Sequence, residues 1–272
     1  MINNHESIAG DTGKNTEDSK VREDIIEGRN AVDEALRAGR TIDKIYVASG
    51  DTDRTLAYLT AKARDKGTVV VTADRRKLDF MSRTGAHQGI IALAAVREYA
   101  TIDEILNIAG ERNEEPFVIL CDEISDPHNL GAIIRTAEAA GAHGVIIPKR
   151  RSAGMTAVVS KTSAGAVEHM AVARVSNLTA AIKELKDKGL WVFGADGNGD
   201  TPLWKADFNG AVCIVIGSEG SGISRLVKEH CDFLVSIPQR GKISSLNASA
   251  AAAVVIYEAL RQKENTSSNC KA

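Results

Sequence analysis

The stretch AVCIVIGSEGSGISRLVKEHCDFLVSIPQRGKISSLNASAAAAVVIYEALR, Ala211 to Arg261, decides the fold. It opens on an unbroken apolar run, Val212 to Ile216, which predicts a strand covered on both faces. That run ends in a glycine loop at Gly217, Gly220 and Gly222. A short helix, a second strand over Phe233 to Ile237, another polar loop and an alanine-rich final helix follow. In an open α/β sheet, strand carboxyl ends and helix amino ends leave backbone groups unpaired, and ligands bind there. The chemistry is therefore expected in these loops.

Upstream, strands are predicted at Phe117 to Cys121, Gly144 to Ile147, Val172 to Val175 and Leu190 to Ala195. Helices are predicted between most of them, at Leu130 to Ala140, around Ala157 to Ala166, at Leu178 to Lys188 and at Ser224 to His230. Such alternation implies a mostly parallel sheet with helices on both faces, over residues 116–263. Residues 23–98 alternate in the same way at smaller scale and read as a separate small α/β domain. Residues 99–115 carry a short amphipathic piece and then GERNEEP, a composition that reads as a flexible interdomain linker. Residues 1–22 hold almost nothing to bury and read as a disordered tail, and 264–272 as a polar tail.

The composition, with 43% hydrophobic and 26% charged residues, is ordinary for a globular chain of 272 residues, a length that suits two domains. Only 4% of residues are aromatic, so an aromatic base-stacking platform is not the obvious way to hold nucleic acid. The net charge of −2 fails the global test for a nucleic-acid binder, so any RNA contact must come from local basic patches. The four cysteines (Cys121, Cys213, Cys231, Cys270) show no CxxC pairing, which disfavours a metal site or disulfide framework. With neither a long apolar run nor a leader-like amino terminus, a cytoplasmic protein is expected.

The glycine loops are not phosphate cradles of the familiar kinds. Gly217 to Gly222 lacks the Lys-Ser/Thr of a P-loop, and GADGNGD at Gly194 to Asp200 does not follow GxGxxG spacing. Glycines that admit close backbone approach still suit a neutral, flat ligand such as adenine, held by main-chain hydrogen bonds.

Together with DEISDPHNLGAIIRTAEAAG at Asp122 to Gly141, the segments IVIGSEGSGIS and IPQRGKISSLNASAAAAVVIYEAL resemble the three motifs of the SpoU (TrmH-like) branch of the SPOUT RNA 2′-O-ribose methyltransferases. The match covers roughly the last 150 residues in the right order, and three independent motifs are far more specific than any one. In the first domain, Glu27-Gly28-Arg29-Asn30 and His87-Gln88-Gly89 resemble short signatures of the accessory RNA-binding domain found in the bacterial 23S ribosomal RNA guanosine enzymes of this branch. The resemblance implies a trefoil knot in the carboxyl-terminal sheet domain, a homodimer and S-adenosylmethionine as cofactor. Carried over by motif position, the cofactor contacts are Gly217, Ile237 and Leu246, with Ala195 and Gly197 bordering the pocket.

The same matching implies that Arg135 is the key catalytic residue, with Asn129, Glu219, Ser245 and Asn247 around it. An arginine is an awkward base because its guanidinium is a five-donor cation that stays charged. It is better suited to gripping a phosphate and stabilising charge that develops on oxygen. Asn129, just before a helix, would serve equally as an N-cap, whereas Glu219 in a glycine loop has little structural reason to be there. Lys149-Arg150-Arg151 forms a candidate phosphate-binding rim, and Arg29 a further RNA contact, although a solvated charge run competes with both readings. The expected activity is methyl transfer to a guanosine of 23S ribosomal RNA. Transfer RNA, another ribosomal nucleotide, or a non-catalytic ribosome-assembly role remain the alternatives, and neither a metal nor a membrane is expected.

Overall fold

A computed structural model of the chain describes residues 25–50, 53–242 and 245–269. The tail expected over residues 1–22 lies outside these, as do residues 270–272, whereas 264–269 continue the last helix. No described helix is long and apolar enough to cross a membrane.

In the first unit the chain runs β1 (Ile25–Glu27), α1 (Arg29–Arg37), β2 (Ile42–Ala48), α2 (Arg54–Asp65), β3 (Val69–Ala73), α3 (Arg75–Met81) and β4 (Ile90–Ala94). The four strands form one sheet in the order β1-β4-β2-β3, with β3 at an edge. Val32 and Leu36 of α1 and Leu56 and Leu59 of α2 pack on Ile45 and Ile90 of the sheet. Asp53 starts α2 by accepting from the backbone amides of Thr55 and Leu56, at 2.7 and 3.3 Å. His87 is structural: its Nδ1 accepts from the Gly89 amide at 3.1 Å, which turns Nε2 toward Asp79 at 2.8 Å.

The stretch 99–115 is not a slack connector. It contains α4 (Ile102–Arg112), opened by a capping box in which Thr101 and Glu104 satisfy each other's backbone amides. Ile102 and Ile105 are buried with Val118, Leu120 and Ile146 of the following sheet. The charged residues that suggest a linker crowd its last turn and exit, while Ile102, Ile105 and Ala109 keep helical spacing.

The second unit runs β5 (Phe117–Cys121), α5 (Pro127–Ala139), β6 (Gly144–Pro148), α6 (Ala157–Thr162), β7 (Val172–Val175), α7 (Leu178–Asp187), β8 (Trp191–Ala195), β9 (Thr201–Pro202), β10 (Val212–Ile216), α8 (Arg225–His230), β11 (Phe233–Ser236) and α9 (Ala248–Asn269). Its seven strands lie in the order β7-β6-β5-β10-β8-β11-β9, and every pair is parallel. The apolar runs are unbroken because both faces are covered. Phe117, Ile119 and Cys121 of β5 and Val212, Ile214 and Ile216 of β10 enter one core with α5 and α9, while Val118, Leu120, Cys213 and Val215 enter the other with α4, α7 and α8. Cys121 and Cys213 are ordinary core residues, and burial pushes the Cys121 thiol up to about 12.

The two units meet at a buried ion pair. Arg174 Nη1 of β7 lies 2.9 Å from Asp43 Oδ1 of β2, and the two side chains are 10% and 4% exposed. Arg174 Nη2 also donates to the carbonyls of Asp43 at 2.8 Å and Lys149 at 3.2 Å. Tyr99 donates its hydroxyl to Asp43 Oδ1 at 2.5 Å, accepts from the Met155 amide at 3.0 Å, and stacks its ring 5.3 Å from the Arg174 guanidinium. Burial, with the Asp43 charge adding to it, keeps that hydroxyl far above the usual tyrosine range, so it remains a donor. Gly154 packs so closely that a Cβ there would sit 2.2 Å from Asp43 Oδ2.

Removing one partner of such a pair leaves a desolvated charge, which typically costs about 3–5 kcal/mol. Arg174→Met should therefore lower unfolding stability by that amount in urea titrations. Asp43→Asn/Arg174→Met should recover most of the loss, and a double variant as unstable as the single one would rule out charge burial as the cause.

Candidate active site

The carboxyl ends of β8, β10 and β11 open into a cleft of about 440 Å³. Its floor and walls are largely backbone and small or apolar side chains, with Ile216, Val235, Ile237 and Leu246 supplying apolar surface. All five residues carried over as cofactor contacts, Ala195, Gly197, Gly217, Ile237 and Leu246, line it. Ser245 lines it as well, at an exposed position two residues before Asn247.

The loop after β10 is folded back on itself. Ser218 and Gly222 exchange backbone hydrogen bonds at 3.0 and 2.9 Å, and Gly220 and Gly222 adopt φ of 84° and 65°. This brings Gly217 so near the returning strand that a Cβ would lie 2.1 Å from the Gly222 carbonyl carbon. Only glycine permits that doubling, and its result is to project Glu219 from the tip.

Glu219 is met there by two amides from distant parts of the chain. Asn129 Nδ2 donates to Glu219 Oε1 at 2.9 Å, Asn247 Nδ2 donates to the same oxygen, and Asn247 Nδ2 also reaches Asn129 Oδ1 at 3.0 Å. Glu219 Oε2 makes no hydrogen bond among the described residues, which leaves it open as an acceptor. The sequence leaves Asn129 open as a helix cap, but the structure gives that task to Asp126, whose Oδ1 accepts from the His128 amide at 2.9 Å. Asn129 is thereby released to the site, 7% exposed. Asn247 does both tasks: its Oδ1 accepts from the amides of Ser249 and Ala250 at 2.9 and 3.2 Å at the start of α9, which turns its donor end toward Glu219.

Arg135 is not part of this cluster. Six residues along α5 from Asn129 it points roughly 120° away around the axis, it is exposed, and it makes no hydrogen bond or ion pair among the described residues. Arg29 Nη1 meets Asp53 at 2.7 Å and its Nε donates to the Gln88 carbonyl at 3.1 Å, within the first unit. Arg150 and Arg151 are exposed, and Arg151 pairs with Glu123 at 2.9 Å.

Two wall residues escape the sequence reading. Asp196 lies 2.5 Å from Lys228 of α8 and accepts from the Asn198 amide at 2.9 Å. Burial alone would raise its carboxyl, but Lys228 and that amide outweigh burial and hold it below the usual carboxylate range. Asp196 sits in the Gly194 to Asp200 segment, where the glycines drew attention and the carboxylate did not. Its partner lies 32 residues away and carries no motif.

A flat heterocycle with a short charged tail fits this lining. The apolar residues can sandwich a ring, the loop backbone offers donors and acceptors, and Glu219 favours positive charge, whereas Asp196 is balanced by Lys228 in the same lining. Residues 116–257 match the SpoU rRNA methylase family, and residues 25–100 match the RNA 2′-O ribose methyltransferase substrate-binding family. A Bacillus subtilis protein assigned by name to the TrmH family of tRNA/rRNA methyltransferases is 45% identical over 240 residues, spanning 88% of this chain and 96% of that protein. A similarly named Staphylococcus aureus protein is 44% identical over 245 residues, spanning 90% of this chain and 98% of its own length. Among solved structures, the SpoU methyltransferase AviRb from Streptomyces viridochromogenes, crystallised with AdoMet, aligns with a TM-score of 0.55 at 25% identity, over 92% of this chain and 94% of its own.

The amide cluster makes a pH-dependent prediction. Asn247→Asp keeps the acceptor that caps α9 but sets a second carboxyl against Glu219, so one of the two titrates above its unfolded value. A raised carboxyl pKa favours the fold below it and is lost as a contribution above it. The melting-temperature deficit of the variant against the parent should therefore be larger at pH 8 than at pH 5. A deficit independent of pH would show that the two side chains do not face each other.

Proposed function

This chain belongs to the SpoU/TrmH family of RNA 2′-O-ribose methyltransferases, and from that premise we propose that it methylates the ribose of a guanosine in 23S ribosomal RNA. The observation that carries the reading is the junction of Asn129, Glu219 and Asn247 at the mouth of a backbone-lined cleft. S-adenosylmethionine, held by the loops at 195–198 and 217–222 and by Ile237, Gln239, Ser245 and Leu246, would supply an already activated methyl group. Glu219 Oε2 accepts from the incoming nucleoside, and the two asparagines hold that carboxylate in place. Such positioning, rather than covalent help, is what an activated donor requires.

Arg135, exposed and uncommitted, binds a phosphate of the RNA and stabilises charge on the 2′-oxygen, while phosphate or solvent takes the proton. Ser245 contributes a hydroxyl to the same substrate. The small domain, with its Glu27 to Asn30 and His87 to Gly89 signatures, supports a ribosomal over a transfer RNA target, and hence a cytoplasmic location. The reading includes a threaded carboxyl end, supported by the packing of α9 on α5 and by the bond from Asn247 to Glu219 of the β10 loop. It also includes a homodimer, supported by Tyr257 of α9, an aromatic residue left 49% exposed.

Purified protein should transfer tritium from labelled S-adenosylmethionine to protein-free 23S RNA from cells lacking the gene, with the label on one guanosine ribose. Arg135→Ala should lower the rate by about 10²-fold or more. Label on transfer RNA instead would redirect the substrate assignment, and cofactor binding without label on any RNA would sink the catalytic reading. A pH–rate profile showing an ionisation that Arg135→Lys alone removes would make the arginine a base after all.

A further inference from the structure

Between the two units lies a second groove, of about 820 Å³, that the cofactor cleft does not include. Lys44 and Arg64 enter it from the small domain, and Lys149, Arg150 and Arg151 from the loop after β6. No acidic residue lines it, in a chain whose net charge is −2. Some cations elsewhere on the surface are neutralised locally, as Lys62 is by Asp33, Lys188 by Asp103 and Arg225 by Glu229; what sets the groove apart is that five cations from both units gather in one lining. Lys44, Arg64, Lys149 and Arg150 make no ion pair among the described residues. Lys44 is half-buried, and burial, with the charges of Arg174 and Lys77, disfavours its ammonium by more than the neighbouring Asp43 carboxylate favours it.

The groove is built rather than accidental. Arg174 bonds to Asp43, next to Lys44, and to the carbonyl of Lys149, and so ties together the strand and the loop that supply the two walls. The edge strand β3 presents Val69 to Val71 along the groove, where its outer backbone groups have no neighbouring strand. The loop bearing Lys149 to Arg151 leaves the same carboxyl edge of the sheet as the catalytic loops. In the order β6-β5-β10 it stands two strands, about 10 Å, from the Gly217 loop. Arg151 is bonded to Glu123 of the intervening β5 loop, so the two positions are mechanically continuous.

We propose that this groove binds the sugar-phosphate backbone of the RNA flanking the target nucleotide, gripping it between Lys44 and Arg64 on one domain and Lys149 and Arg150 on the other. The proposal rests on the RNA-methyltransferase reading and adds where the strand runs. With no aromatic side chain in its lining, the groove reads phosphate rather than base, and so contributes affinity and register but not sequence choice. The small domain thus works through the face turned toward the catalytic sheet.

The test uses the full chain and the RNA that the parent protein methylates, with binding followed by fluorescence anisotropy from low to high KCl. For single strands each phosphate contact contributes about 0.7 to the slope of log K against log salt. Lys44→Gln/Arg64→Gln should reduce that slope by about 1.4, raise KM for RNA at least tenfold, and leave S-adenosylmethionine binding and kcat at saturating RNA unchanged. Arg64 is exposed, so Arg64→Glu offers a folded second variant expected to weaken binding further than neutralisation. Arg37→Gln, which removes a cation already paired with Asp33, is the control expected to change nothing. An unaltered slope and KM in both groove variants would overturn the proposal while leaving the methyltransferase reading intact. A parent protein that binds cofactor but neither binds nor methylates RNA would overturn both.

Discussion

Everything in the second unit depends on β10 being paired on both edges and covered on both faces. Its five residues run in parallel register with β5 on one side and β8 on the other. Parallel pairing leaves the carboxyl ends of all three strands at one edge, so the loops that follow must gather there. Asn129, Asp196 and Glu219 are neighbours for that reason, although they come from three separate crossovers. The amino end of α9 closes the arrangement, and Asn247 reports its position directly because one side chain caps the helix and bonds to Glu219.

Two electrostatic arrangements sit within a few residues of each other and behave in opposite ways. At the domain junction, Asp43, Arg174 and Tyr99 satisfy one another out of water. A buried pair of that kind fixes a geometry more reliably than it adds stability, since desolvation offsets much of the attraction. In the adjoining groove, Lys44, Arg64, Lys149 and Arg150 gather with no acidic residue in the lining, and Arg151 alone among the five cations has an ion pair, with Glu123. Mutual repulsion among them is a cost that a bound polyanion would relieve. The net charge of −2 hides this, since acidic residues on other faces cancel the groove in the sum.

The packing of α4 changes how the two-domain design should be pictured. A flexible tether would let the small domain search for RNA independently of the sheet. Instead the connecting helix is buried against β5 and β6, and Arg97 beyond β4 donates to the Val167 carbonyl at 3.2 Å. The two units are therefore held as one shape, and a ligand that spans both would meet a lower ordering cost on binding.

The sequence by itself determined the sheet and the identity of the site loops. Val212 to Ile216 and Phe117 to Cys121 are too uniformly apolar to be anything but strands covered on both faces, and the glycine loop and the amide-bearing segments are contiguous motifs. Local patterns of this kind survive in one dimension because neighbouring residues cause them. The tertiary structure alone decided which polar side chains meet. Asp126 rather than Asn129 caps α5, Arg29 meets Asp53 and Gln88, and Asp196 finds Lys228. Asp43 and Arg174 lie 131 positions apart, and nothing near either one announces the other. An ion pair across a domain junction depends on the distance between two folded surfaces, and that distance exists only once both cores have formed.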